Sequence, residues 1–285
     1  MNYNNHTTGK HAQEILALQH PDGTWGEMFH SFAKPNGKSP LMTEQALLRL
    51  KALGFTVEDE PIRRIVKCMV SCLKGERTID NYREKGYDWD LFSQMMLTAW
   101  VRVFEPDNEV ALEVAKQWAR VIETAFAKGQ FSQAAYSGAF AQEFAKNQTS
   151  IKEIGFTIFY PMNLLQGVLT EETERRMLDY VLASPGGIYY IYAKPLNQLP
   201  AEFASKETSY YLAAIEILAG YKTAKEKLGF VVDWLESNRD ENGQWDLGAK
   251  AKDNVYFPLL DSWRKGEDRK ADCTERIEKL LERIK

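Results

Sequence analysis

Five turns recur at nearly equal spacing along this chain, and no other feature limits its fold so sharply. They begin at Pro21, Gly75, Gly129, Pro185 and Arg239, separated by 54, 54, 56 and 54 residues. Each stops a run of apolar residues at helical spacing: Ile15 to Gln19, Ile62 to Leu73, Val110 to Phe126, Met177 to Leu182 and Phe230 to Leu235. Beyond each turn come a polar or aromatic stretch and a second helical run: Thr43 to Leu53, Asp88 to Phe104, Ile151 to Gln166, Ser205 to Ala219 and Asp253 to Arg264. A fixed period of this length means one supersecondary unit repeated, each copy burying its apolar face on the next. Here the unit is an αα-hairpin.

The expected fold is therefore all-α: a single domain over residues 1–285, built as an α/α toroid of five to six hairpins with a repeat of about 54 residues. The count of five adds a closing helix, Ala271 to Ile284; a helical pattern around Ala134 to Phe144 inside the third loop offers the sixth hairpin. The second helices mostly end on glycine, at Gly54, Gly167, Gly220 and Gly266, and the next helix opens on capping residues such as Asp59, Asp107, Thr170 and Thr223. Short and long connections alternate, so in an up-down ring the long loops gather at one end. Loops that long usually carry function, and that end is where a site is expected.

Composition excludes several partners. Basic residues number 36 against 40 acidic, a formal net charge of −4, and no window is strongly basic, so a nucleic-acid partner is not expected. Hydrophobic residues make up 44% of the chain, enough for a large core, but no stretch stays apolar for the length of a membrane span. The polar opening MNYNNHTTGK has no signal-peptide character, which points to a cytoplasmic protein. Cys68, Cys72 and Cys273 read as reduced thiols. Cys68 and Cys72 lie four apart on one helix face, where a metal pair is conceivable, but small buried hydrophobes are the commoner use. The four histidines all precede residue 31, which leaves no distributed zinc set. Neither metal nor cofactor is expected.

An acidic residue stands in the first turn of each second helical run: Glu44, Asp90, Glu153, Glu207 and Asp253. Carboxylates favour helix N-termini on electrostatic grounds alone, at about 0.3–1 kcal/mol each. In a ring they would share one rim, close enough for paired acid/base work. The densest cluster is Tyr87-Asp88-Trp89-Asp90, where Asp88 is either a plain N-cap or the partner of an acid at the mouth of an aromatic cavity. Trp89, Tyr189, Tyr190 and Tyr256 are aromatics suited to lining such a cavity, beside cationic intermediates or sugars. Asp261 and Arg264, three apart, read as a helical ion pair or, if buried, as an anion contact.

Gln19-His20-Pro21-Asp22-Gly23-Thr24-Trp25 resembles the glutamine–tryptophan repeat of the squalene/hopene cyclases, in which such repeats tie one helical hairpin to the next. Asn238 to Trp245 resembles a decayed copy, with Asn for Gln and one extra residue before its glycine. The resemblance implies the terpenoid cyclase/protein prenyltransferase toroid. It also implies a reaction begun by protonating an alkene or epoxide through an Asp-x-Asp-Asp motif. Asp88-Trp89-Asp90-Leu91 keeps the first two aspartates and lacks the last. By resemblance Asp90 is the proton donor and Asp88 its partner, whereas the zinc set of the prenyltransferases has no counterpart.

Three functions follow: acid-initiated cyclisation or isomerisation of a polyprenyl-type substrate, carbohydrate chemistry by paired carboxylates, or a non-catalytic binding ring. The expected ligand is an apolar or sugar-like small molecule. The sequence names no protein partner.

Overall fold

A computed structural model describes residues 6–26, 29, 41–79, 88–145 and 152–285. Among these residues are twelve α-helices, two 3-10 turns and no β-strand. The helices are α1 (Lys10–Leu16), α2 (Thr43–Ala52), α3 (Glu60–Leu73), α4 (Trp89–Phe104), α5 (Glu109–Phe126), α6 (Gln133–Phe144), α7 (Phe159–Leu164), α8 (Glu171–Ala183), α9 (Lys206–Leu218), α10 (Ala224–Lys227), α11 (Gly229–Ser237) and α12 (Gly266–Ile284). None is long and apolar enough to cross a membrane. The chain forms two compact units: Met1–Arg83 with Glu202–Ser209 and Asn238–Lys279, and Glu84–Ala201 with Tyr210–Ser237 and Leu280–Lys285.

In the second unit α4 packs on α5 and α7, α5 on α6 and α8, and α8 on α10. Its helices start where the sequence provides caps. Asp88 accepts the Leu91 amide at 3.0 Å, Asn108 the Ala111 amide at 3.2 Å, and Thr170 the Thr173 amide at 3.4 Å. Asn108, not Asp107, caps α5. Trp100, Trp118, Phe126, Phe140 and Tyr160 are almost wholly buried and fill the core. Arg102 spans from α4 to the Pro106 and Gln166 carbonyls, and the Gln166 amide donates to the Ile217 carbonyl at 3.0 Å. Gly220 ends α9 with no left-handed backbone; it is glycine because the Gln166 side chain occupies the space a Cβ would need.

In the first unit the two tryptophan turns share one frame. His20 N donates to Thr24 O at 2.8 Å and Gly23 N to His20 O at 2.9 Å; 220 residues later Asp240 N donates to Gln244 O at 2.8 Å and Gly243 N to Asp240 O at 2.9 Å. Trp25 N donates to the Thr43 hydroxyl at 2.9 Å, and Trp245 N to the Thr274 hydroxyl at 3.1 Å. This corrects the register read from sequence. Arg239, not Asn238, takes the place of Gln19: Gln19 Nε2 donates to Gly23 O and Arg239 Nε to Gly243 O, both at 3.0 Å. No residue is inserted. Gln19 Nε2 also donates to Pro61 O in the first turn of α3 at 2.8 Å, tying the turn to the next helix.

The shared frame reassigns the end of the chain. Thr274 lies on α12 as Thr43 lies on α2, so α12 stands to the Trp245 turn as α2 stands to the Trp25 turn. The expected helix from Asp253 to Arg264 is absent; that segment is irregular, and Gly266 opens α12 where it was expected to close a helix. Side chains compete successfully for its amides. Asp253 Oδ1 accepts Val255, Tyr256 and Phe257 N at 2.9, 2.7 and 3.1 Å. Buried Asp272 accepts Leu259 N at 2.6 Å, Leu260 N at 3.1 Å and Trp263 Nε1 at 2.6 Å. Buried Arg49 donates to the Val255 and Pro258 carbonyls, and Asn254 adopts a left-handed φ of 62°. The helix expected from Ile151 is likewise shorter. Residues 152–158 are not helical, and the helix begins at Phe159.

Candidate functional site

Helix α4 presents the Asp88-Trp89-Asp90 cluster in its first turn. Asp88 spends a side-chain oxygen on the Leu91 amide and is half-buried, while Asp90 is exposed. Tyr87 lies outside the described residues. Trp89 and Phe92, three apart on one helix face, stack with centroids 5.6 Å apart and planes at 24°. Phe92 meets Tyr160 of α7 edge-on at 5.7 Å.

Tyr190 lies 6.0 Å from Tyr160 and 5.5 Å from Phe159, and Tyr189 meets Tyr190 edge-on at 6.3 Å. The backbone sets this loop in place: Phe159 N donates to Tyr189 O at 2.7 Å, and Tyr189 N to Thr157 O at 3.1 Å. A cis peptide joins the two tyrosines. The result is a continuous aromatic wall from Trp89 to Tyr189. Within it Phe92 and Tyr160 are buried, and the outer ring, Tyr189, is 54% exposed.

Three of the expected ligand residues thus lie in the second unit: Tyr189 and Tyr190 are in contact, and Trp89, between Asp88 and Asp90, reaches them through Phe92 and Tyr160. Of the linking residues, Tyr160 stands among the sequence's loop and second-helix aromatics, read as core or cavity lining, and Phe92 does not. The spacing of Phe92 from Trp89 was the available signal; Tyr160 required the fold, since 68 residues separate it from Phe92.

The remaining nominees belong to the first unit and have structural duties. Asp253 holds three backbone amides and accepts the Ser209 hydroxyl at 2.9 Å. Tyr256 lies under the Arg276 guanidinium, 4.7 Å from ring centroid to Cζ. Asp261 accepts Lys10 N at 2.8 Å, an amide in the first turn of α1. Arg264 is exposed, and among the described residues it makes no ion pair with Asp261, because no helix brings them to one face. Of the other first-turn acids, Glu44 is buried, and Glu153 accepts the Gln133 amide at 2.9 Å.

The first unit also holds a pocket of about 280 Å³, lined by His20, Asp22, Thr24, Trp25, Thr43 and Arg77 among others. Arg77 pairs with Asp22 at 2.5 Å. Thr24, through its hydroxyl and amide, and Arg77 hold the Asp22 carboxyl below the usual range, outweighing the opposing effect of partial burial. Cys68 and Cys72 lie one turn apart on α3. The neighbouring Cys72 is the main reason the Cys68 thiol is lowered to about 7, while Cys72 is raised. All three cysteines are free thiols. Among the described residues no three His, Cys, Asp or Glu side chains are grouped to hold a metal ion.

No protein-family model, no curated protein and no solved structure matches this chain.

Proposed function

We propose that the chain is a terpenoid-cyclase-like protein whose hairpins close into a toroid and whose aromatic wall takes an apolar, polyprenyl-type ligand. The observation carrying this reading is the unbroken ring contact from Trp89, next to Asp90, through Phe92, Tyr160 and Tyr190 to Tyr189. An isoprenoid chain presents alternating double bonds and methyl groups, which aromatic faces cover without demanding hydrogen bonds. The recurring turns, with one frame kept at both ends of the repeat series, support the ring. The free thiols accord with a cytoplasmic setting.

In this reading Asp90 delivers a proton to a ligand alkene. The π pair forms the new C–H bond and leaves a carbocation, which the ring faces stabilise through their quadrupoles. Attack by a second alkene closes a ring or, without it, the cation shifts; loss of a proton to a base then gives the cyclised or isomerised product. Asp88 keeps the first turn of α4, and with it Asp90, in position.

Incubation with polyprenyl substrates followed by product analysis tests the reading. Asp90→Asn should abolish turnover while leaving the ligand's quenching of Trp89 fluorescence intact; unchanged turnover would refute the acid role. A second reading, binding without chemistry, is favoured by the exposure of Asp90. It predicts ligand-dependent quenching that Trp89→Phe diminishes, and no product from the native chain.

A further inference from the structure

The pocket of the first unit takes no part in the function proposed above. Its described lining comes from the first tryptophan turn, from Thr43 at the start of α2, and from Arg77, Thr78 and Ile79 beyond α3. A volume of about 280 Å³ lies just below the range usual for small-molecule sites, about 300–1,000 Å³, so it suits a metabolite of a few carbons and not a polyprenyl chain. Of the lining, Trp25 and Phe29 are buried, whereas His20, Arg77 and Thr78 are exposed. A chain of hydrogen bonds fixes the polar groups. Thr24 donates to Asp22 Oδ1 twice, through its amide at 2.9 Å and its hydroxyl at 2.6 Å. The other oxygen, Asp22 Oδ2, accepts from Arg77 Nη2 at 2.5 Å, across 55 residues of sequence.

Two recognition elements follow. A guanidinium carries its N–H donors in a planar fork, and Asp22 engages Arg77 through one nitrogen; among the described residues the other N–H groups of Arg77 have no partner. Held in place by Asp22, that fork can give a carboxylate two parallel hydrogen bonds. Asp22 offsets part of the positive charge, but both of its oxygens are already occupied, by Thr24 and by Arg77. The second element is His20, whose Nδ1 lies 3.3 Å from the Thr24 hydroxyl. A hydroxyl has a single proton, and Thr24 gives it to Asp22 at the shorter distance, so His20 Nδ1 is the donor in its own bond. In the neutral ring Nε2 is then an acceptor, ready for the proton of a ligand hydroxyl. We propose that this pocket binds a small hydroxycarboxylate, its carboxylate on the Arg77 fork and its hydroxyl on His20 Nε2. Binding makes and breaks no covalent bond.

The test is isothermal titration of the full-length protein, at mildly alkaline pH, with glycerate, lactate and malate in turn. At least one should bind at one equivalent with a Kd of about 1 mM or tighter. Arg77→Gln should weaken that binding by about tenfold or more, as loss of a charge-assisted contact does, and His20→Phe by about twofold to tenfold, as loss of a neutral one does. Propionate, which has no hydroxyl, should bind the native protein more weakly than the hydroxy acid and should not distinguish native protein from His20→Phe. Both side chains are exposed, so the variants are expected to fold, and matching helical circular dichroism checks this. The proposal is overturned if none of the three acids gives a saturable heat, or if either folded variant keeps native affinity. It is equally overturned if inorganic phosphate or propionate binds as tightly as the best hydroxy acid, since the pocket would then take anions without reading a carboxylate and a hydroxyl together.

Discussion

Replacing Gly23 by alanine tests the packing of the first tryptophan turn. Gly23 sits at φ 94°, and a Cβ there would lie 2.7 Å from Ile65 N and 2.9 Å from Arg64 C and Ile65 Cα, all backbone atoms of α3. Gly75 shares the left-handed backbone, at φ 73°, but a Cβ would meet nothing within 4 Å. Gly75→Ala therefore isolates the backbone cost, about 1–2 kcal/mol, reduced by the lower entropy of the unfolded chain by about 0.4–1 kcal/mol. Gly23→Ala carries the same cost and also an overlap that no side-chain rotation can relieve. Overpacking of this kind adds about 1–3 kcal/mol, which puts the total near 2–4 kcal/mol. At roughly 2 °C of Tm per kcal/mol in a chain of this size, Gly75→Ala should melt about 1–3 °C early and Gly23→Ala about 4–8 °C early. Parallel thermal melts followed by circular dichroism decide the matter. Equal shifts in the two variants would show that the turn does not press on α3 as described.

Gln19→Ala removes donors to the Gly23 and Pro61 carbonyls and should cost about 1–2 kcal/mol in urea denaturation. Arg49→Met strips donors from the Val255 and Pro258 carbonyls; limited proteolysis should then cut within 253–264 faster than in the native chain, and an unchanged digest would contradict the role given to Arg49. The Asp246 carboxyl is held below its ordinary value of 3.8, chiefly by the hydrogen bond from Arg269, against the opposing effect of partial burial. A depressed carboxyl stabilises the fold above the unfolded value and stops doing so as pH falls through the folded one. The gap in urea midpoint between native and Asp246→Asn protein should therefore be full at pH 6 and shrink below pH about 3.8.

The helical class and several of the turns were legible because helix punctuation is local. A left-handed glycine or a capping side chain acts on neighbouring amides, and the turns at Gly75 and Gly129 lie where the apolar runs break off. Asp88 was readable as a cap for the same reason. The missing helix after Asp253 has its origin in side chains outside that segment. Pro258, Leu259, Leu260 and Trp263 carry an apolar pattern that suits a helix, but Arg49 and Asp272 capture the groups a helix would use. The copy at 239–245 falls one residue out of register when it is aligned on Asn238, the residue type nearest glutamine, in place of Arg239. The spacing from Arg239 to Gly243 and Trp245 was the better guide. Of the candidate site, Trp89, Asp88 and Asp90 were visible as a dense local cluster, whereas the meeting of Phe92 with Tyr160 depends on the packing of α4 against α7.

The segment from Asp253 to Arg264 has a shape lent to it by others. Its Val255 and Pro258 carbonyls are claimed by an arginine more than 200 positions earlier and its Leu259 and Leu260 amides by an aspartate that follows it, while its own Asp253 holds only the amides of residues 255–257. The second half of the segment therefore takes its form from groups outside it. Its form can be completed only when both ends of the polypeptide have been made and brought together, which gives this stretch a late place in the order of assembly.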